Sequence, residues 1–82
     1  MKKKLTINVC GEAGSGKSRL TFILKKFLKD NGFEVEHSPL DFVDEDEFDK
    51  EMNKNHKLAI DNLKENRKIV INELYVKRES NS

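Results

Sequence analysis

The sequence predicts an α/β domain, a three-layer α/β/α arrangement with two main helices around a short parallel sheet. Three observations carry that expectation. Segments in which apolar residues alternate are interleaved with segments in which they recur every three or four positions. A glycine-rich turn joins the first such pair, and a late, near-continuous apolar run reads as a strand buried on both faces.

Residues Leu5 to Cys10 read Leu-Thr-Ile-Asn-Val-Cys, the alternation of a first strand with one well-buried face. After the glycine-rich turn, Lys17 to Asn31 carries Leu20, Ile23, Leu24, Phe27 and Leu28 at helical spacing, with Gly32 placed as a C-terminal glycine cap. Phe33 to Ser38 alternates again and Pro39 ends it, which suits a second strand at a sheet edge. Asp44 to about Asn66 predicts one long polar helix from Phe48, Met52, Ala59, Ile60 and Leu63, with Asp44 as N-cap and Glu47 three residues on. Lys68 to Val76, with Ile69, Val70 and Ile71 in a row, is the third strand and the expected sheet centre. The polar Lys77 to Ser82 reads as a frayed end.

Length and composition bound the function. A chain of 82 residues holds one domain, residues 1–82, and a chain this short buries only roughly 60 to 65% of its unfolded surface. Hydrophobic residues make up 35%, against a usual apolar share of roughly 45 to 50% with glycine counted, so a thin core is expected. Sixteen basic against 15 acidic residues leave a net charge of +1, which disfavours nucleic acid or an anionic membrane as partner. Lys2, Lys3 and Lys4 suit a solubilising tail, and the short segment after them predicts neither a signal peptide nor a membrane span. The single cysteine, Cys10, is expected to be packed rather than reactive, in a reducing cytoplasm. His37 and His56 have no metal-ligand spacing.

The chemistry is concentrated in Gly11-Glu12-Ala13-Gly14-Ser15-Gly16-Lys17-Ser18, a complete match to G-x-x-x-x-G-K-[ST], the Walker A phosphate-binding loop. Its glycines let the backbone wind tightly, and amides from Gly14 to Ser18 can form an anion nest at a helix N-terminus. Lys17 brings charge to the β and γ phosphates, and Ser18 offers its hydroxyl to Mg²⁺. Arg19 follows directly and joins the candidate nucleotide contacts.

This loop, set between a predicted strand and a predicted helix, resembles the P-loop NTPase superfamily. The order of predicted elements resembles a truncated N-terminal half of its nucleoside and nucleotide kinase branch. The likeness covers nearly the whole chain, with the Walker A loop as its specific part. It implies strand order 2-3-1 and a bound nucleoside triphosphate, ATP or GTP, with Mg²⁺. It also implies an acidic residue ending a buried strand, where this chain has Ile69-Val70-Ile71-Asn72-Glu73. Asn72 stands in place of the usual aspartate, so Glu73 is the candidate metal residue of a weakened or shifted site. Asp41 could act as base or as substrate and metal contact, and Arg19, Arg67 or Arg78 could supply a transition-state cation. The acidic run from Asp44 to Glu51 has a simpler reading as a charged helix start.

The later strands and arginine-bearing lid of such kinases have no counterpart here. Strand 1 would then be an open sheet edge, which predicts a homo-oligomer. Three functions follow. One is nucleotide binding with slow or assembly-dependent hydrolysis; another is a small kinase using Asp41; the third is a non-catalytic protein that sequesters a nucleotide or regulates a partner.

Overall fold

α1 (Lys17–Asp30) begins directly after Gly16 and ends in a closed C-terminus. Gly32, at φ 84°, donates to the Lys29 carbonyl and Phe33 to that of Leu28, both at 3.0 Å. This pair of bonds is the Schellman motif, and the left-handed turn it needs is why glycine sits at position 32. α2 (Glu45–Asn53) starts at Asp44, whose carboxylate accepts from the Glu47 amide at 2.8 Å. Glu47 in turn accepts from the Val43 amide at 3.1 Å, and three acidic residues occupy the first turn, where the helix dipole favours them.

The computed structural model, which describes residues 3–40 and 42–75, breaks the expected long second helix in two. α2 stops at Asn53, and α3 (His56–Asn66) begins after Asn55, which takes a left-handed φ of 51°. Asparagine tolerates that conformation better than most residues, and no apolar side chain lies between Met52 and Leu58 to hold a continuous helix against a core. Among the described residues there are therefore three helices rather than two.

The core is aromatic and small. Phe22 of α1 and Phe48 of α2 are buried, with ring centroids 6.2 Å apart. His37 and Phe42 meet Phe48 edge-on at 4.4 and 5.4 Å, and His56 meets Phe22 edge-on at 5.1 Å. Lys25 is buried beside them, its ammonium 2.5 Å from Glu45, 2.7 Å from Asp49 and 5.5 Å from the Phe48 ring centroid. Burial works against that charge, but hydrogen bonds to Asp49 and Glu45 outweigh it and hold the Lys25 pKa above its ordinary value.

The α/β expectation is overturned. Among the described residues there is no β-strand and no sheet, so residues 5–10, 33–38 and 68–75 belong to no ladder and the order 2-3-1 has no counterpart. The reason lies in which face of α1 is used. Phe22 and Lys25 lie on the side of the helix opposite Leu20, Ile23, Leu24, Phe27 and Leu28, the stripe that would have covered a sheet. With α1 packed on α2 through its other face, the segments read as strands stay outside the core except for His37, which meets Phe48. Leu5 and Ile71 are 100% and 86% exposed. Cys10, expected to be packed, is exposed as well. The radius of gyration, 14.7 Å against about 12 Å for a compact chain of this length, reflects these outlying segments. The sheet edge that motivated an oligomer is likewise absent among the described residues.

Candidate functional site

The N-terminus of α1 is not closed as that of α2 is. Its N-cap, Gly16, has no side chain to offer, and its first turn contains no acidic residue. Among the described residues, the N–H groups of Gly16, Lys17 and Ser18 donate to no acceptor. Free amides together with the helix dipole present partial positive charge at this end.

The loop ahead of the helix is tightly folded. The Ser15 amide donates to the Glu12 carbonyl at 3.1 Å, which closes a turn over Ala13 and Gly14. The Lys17 ammonium arches back and donates to the carbonyls of Gly11 at 2.8 Å and Glu12 at 3.1 Å. A cation thereby bridges the first and last parts of the motif. Gly16 takes φ 98°, and a Cβ there would stand 2.6 Å from Leu63 Cδ2 of α3. The positive φ is what calls for glycine at position 16, and a methyl group there would also push aside the end of the Leu63 side chain.

Two arginines frame the loop. Arg67, just beyond α3, donates from Nε to the Ser15 carbonyl at 2.9 Å and from Nη2 to that of Gly14 at 3.4 Å. Its guanidinium holds two loop carbonyls, so the loop is pinned by a residue far away in sequence. Arg19 donates from Nη1 to the Met52 carbonyl and pairs at 3.0 Å with His56 Nδ1. In that contact the guanidinium is the donor and Nδ1 of His56 the acceptor. Arg19 thus braces α1 against the corner between α2 and α3, through a carbonyl in the last turn of α2 where a cation is favoured.

Between the loop and α3 lies an open cleft of about 400 Å³. Gly14, Ser15, Gly16 and Arg19 form its loop side. Leu58, Ala59 and Leu63 give it an apolar wall, and Asn55, Asn62 and Arg67 its polar groups. Gly11, Glu12, Ala13, Lys17 and Ser18 lie outside that lining, so the motif is divided between the cleft and the bridged turn next to it.

The other expected residues are not gathered here. Asp41 and Arg78 lie outside the described residues. Glu73 is exposed, and no hydrogen bond or ion pair among the described residues links it to Ser18. No group of three or more His, Cys, Asp or Glu suited to a metal occurs among the described residues. Ser18, the second residue of α1, is the candidate metal residue that stands at the loop, where its hydroxyl could meet a Mg²⁺ carried in by phosphate. The cleft residues on α3 are ones that sequence reasoning misses. The only signal for them is the polar gap around Asn55, which marks where the chain turns back toward the loop.

The chain matches no protein-family model, no curated protein and no solved structure. No described helix is long and apolar enough to cross a membrane.

Proposed function

We propose that the protein binds a nucleoside triphosphate, ATP or GTP, through the loop from Gly11 to Ser18. The observation that carries this reading is the loop from Gly11 to Ser18, folded back by Lys17 at the uncapped N-terminus of α1. Amides of Gly16, Lys17 and Ser18 without acceptors among the described residues stand beside a lysine that bridges the loop. At α2, by contrast, Asp44 caps the Glu47 amide and acidic residues fill the first turn, whereas an anion is the partner that an open end favours. In this reading Lys17 supplies the charge that neutralises the phosphates. Ser18 contributes one oxygen to a Mg²⁺, which lowers the repulsion between phosphate groups.

Holding the nucleotide, as a sequestering or regulatory protein does, is the role that the cleft supports over turnover. Its polar side chains are two arginines, two asparagines and Ser15, groups that bind and orient, with no carboxylate or imidazole among them to take a proton from water or a hydroxyl. Calorimetric titration of ATP and GTP with Mg²⁺ into the wild type and Lys17→Ala tests the reading, with phosphate release followed on the same samples. Binding by the wild type that falls at least tenfold in Lys17→Ala is expected, with little phosphate released. Equal binding by the two proteins would remove the loop from the account, and rapid release would replace holding with hydrolysis.

A further inference from the structure

We infer that the cleft between the loop and α3 receives the nucleoside end of the nucleotide, an inference that rests on the loop holding the phosphates. Three features converge on it. The cleft adjoins Gly14, Ser15 and Gly16, so a ligand whose phosphates lie at the loop has its remaining body directed to a neighbouring space. Its volume, about 400 Å³, falls within the roughly 300 to 1,000 Å³ of small-molecule sites. Its walls are of two kinds, as the two sides of a nucleoside require.

Leu58 and Ala59 offer an apolar face to a planar base and a ribose. Asn62 projects from the same helix, and Asn55 stands at its start. The side-chain amides of both asparagines are without partners among the described residues. Each amide carries a donor and an acceptor side by side, the pairing that matches the edge of a base. The charged groups of the lining, Arg19 and Arg67, are both cationic, which suits a body that continues into phosphate. Arg67 adds a planar guanidinium that can lie against a base while its Nε keeps the Ser15 carbonyl. A bare polyphosphate would leave the amides and the apolar wall unused.

Asn62 is exposed on α3, so a tryptophan there fills the cleft without entering the core. The experiment compares Mg²⁺-ATP with Mg²⁺-tripolyphosphate by calorimetry on the full chain, as wild type, Asn62→Trp, Asn62→Ala and Lys17→Ala, with circular dichroism to check folding. The wild type is expected to hold ATP at least tenfold more tightly than tripolyphosphate. Asn62→Trp should remove that advantage and leave tripolyphosphate within twofold of wild type, and Asn62→Ala should reduce the advantage several-fold. Should the wild type hold the two ligands equally, or Asn62→Trp keep the full advantage of ATP, while Lys17→Ala still loses both, the cleft is overturned and the loop stands. If the wild type binds neither ligand, the loop reading fails and the cleft falls with it. If Asn62→Trp does not fold, Asn62→Ala decides: an unchanged ratio between the ligands overturns the inference.

Discussion

The N-termini of α1 and α2 are finished in opposite ways. At α2, Asp44 caps the Glu47 amide, Glu47 returns to the Val43 amide, and Glu45, Asp46 and Glu47 face the dipole. At α1 there is a glycine without a cap, no acidic residue in the first turn, and a lysine and an arginine close by. One end supplies its own negative charge and the other leaves room for a ligand's. α3 also starts without a side-chain cap and without an acidic residue in its first turn, so the missing cap alone does not set α1 apart; the glycine loop folded back by Lys17 ahead of it does. The buried core lies between the two helices, where Phe22 and Lys25 of α1 meet Phe48 of α2.

The sharpest way to separate the two sides is Phe48→Ala. Phe48 is 2% exposed and touches Phe22, His37 and Phe42, so its loss should cost about 3 to 5 kcal/mol, enough to unfold much of a domain this small. Urea denaturation measures it; a loss under about 1 kcal/mol would show that the α1–α2 joint is not the stable part.

On the open side, Gly16→Ala should cost about 2 to 3 kcal/mol, from a left-handed backbone and displacement of Leu63. Gly14 is the control. Its φ is 78°, and a methyl group added there would meet nothing within 4 Å, so Gly14→Ala should cost only about 1 kcal/mol. Equal losses in thermal melts would deny the contact between Gly16 and α3.

Asp44→Ala removes the cap that α1 lacks and should cost about 1 kcal/mol, with nucleotide affinity unchanged once the protein is folded. A drop in affinity would mean that the two helix ends are not independent.

The smallest expected effect is that of pH. Burial and then the nearby Lys25 push the His37 pKa down. Glu45 is held below its ordinary value by its hydrogen bond with Lys25, with burial opposing and Lys29 assisting. Both groups bind fewer protons in the folded state than in the unfolded one. Their contribution is therefore complete above about pH 6.5 for His37 and above about pH 4.5 for Glu45, and is lost as pH falls through the lower folded values. Lys25 acts in the other direction: its contribution is present below about pH 10.5 and lost as pH rises through its raised value. Urea midpoints should decline first on the acid side from about pH 6.5; a midpoint that rises there would contradict the His37 contact.

Local chemistry is legible in the residues themselves. Gly32 closes α1, and Asp44 with Glu47 starts α2, because each signal involves neighbours three to five positions apart. The glycine motif is legible for the same reason, and its lysine does fold over the loop. Pairing over distance is not legible. Alternation in residues 5–10 and 33–38 says which side chains share a face, but not whether another strand lies alongside. The stripe of α1 points to the wrong face because it counts aliphatic residues, whereas the packing that forms is between Phe22 and Phe48 with Lys25 neutralised by two carboxylates. Arg67 reaches Ser15 across 52 positions, and nothing in either residue's neighbourhood announces that bond.

The most direct test of the central claim is to follow the backbone amides by heteronuclear NMR as Mg²⁺-ATP is added. The largest shifts should fall on Gly14 to Ser18 at the open end of α1, those of Glu45 to Glu47 should stay in place, and Lys17→Ala should abolish the response. Shifts spread over α2, or none at the loop in a folded protein, would contradict the assignment of the α1 N-terminus as the phosphate site.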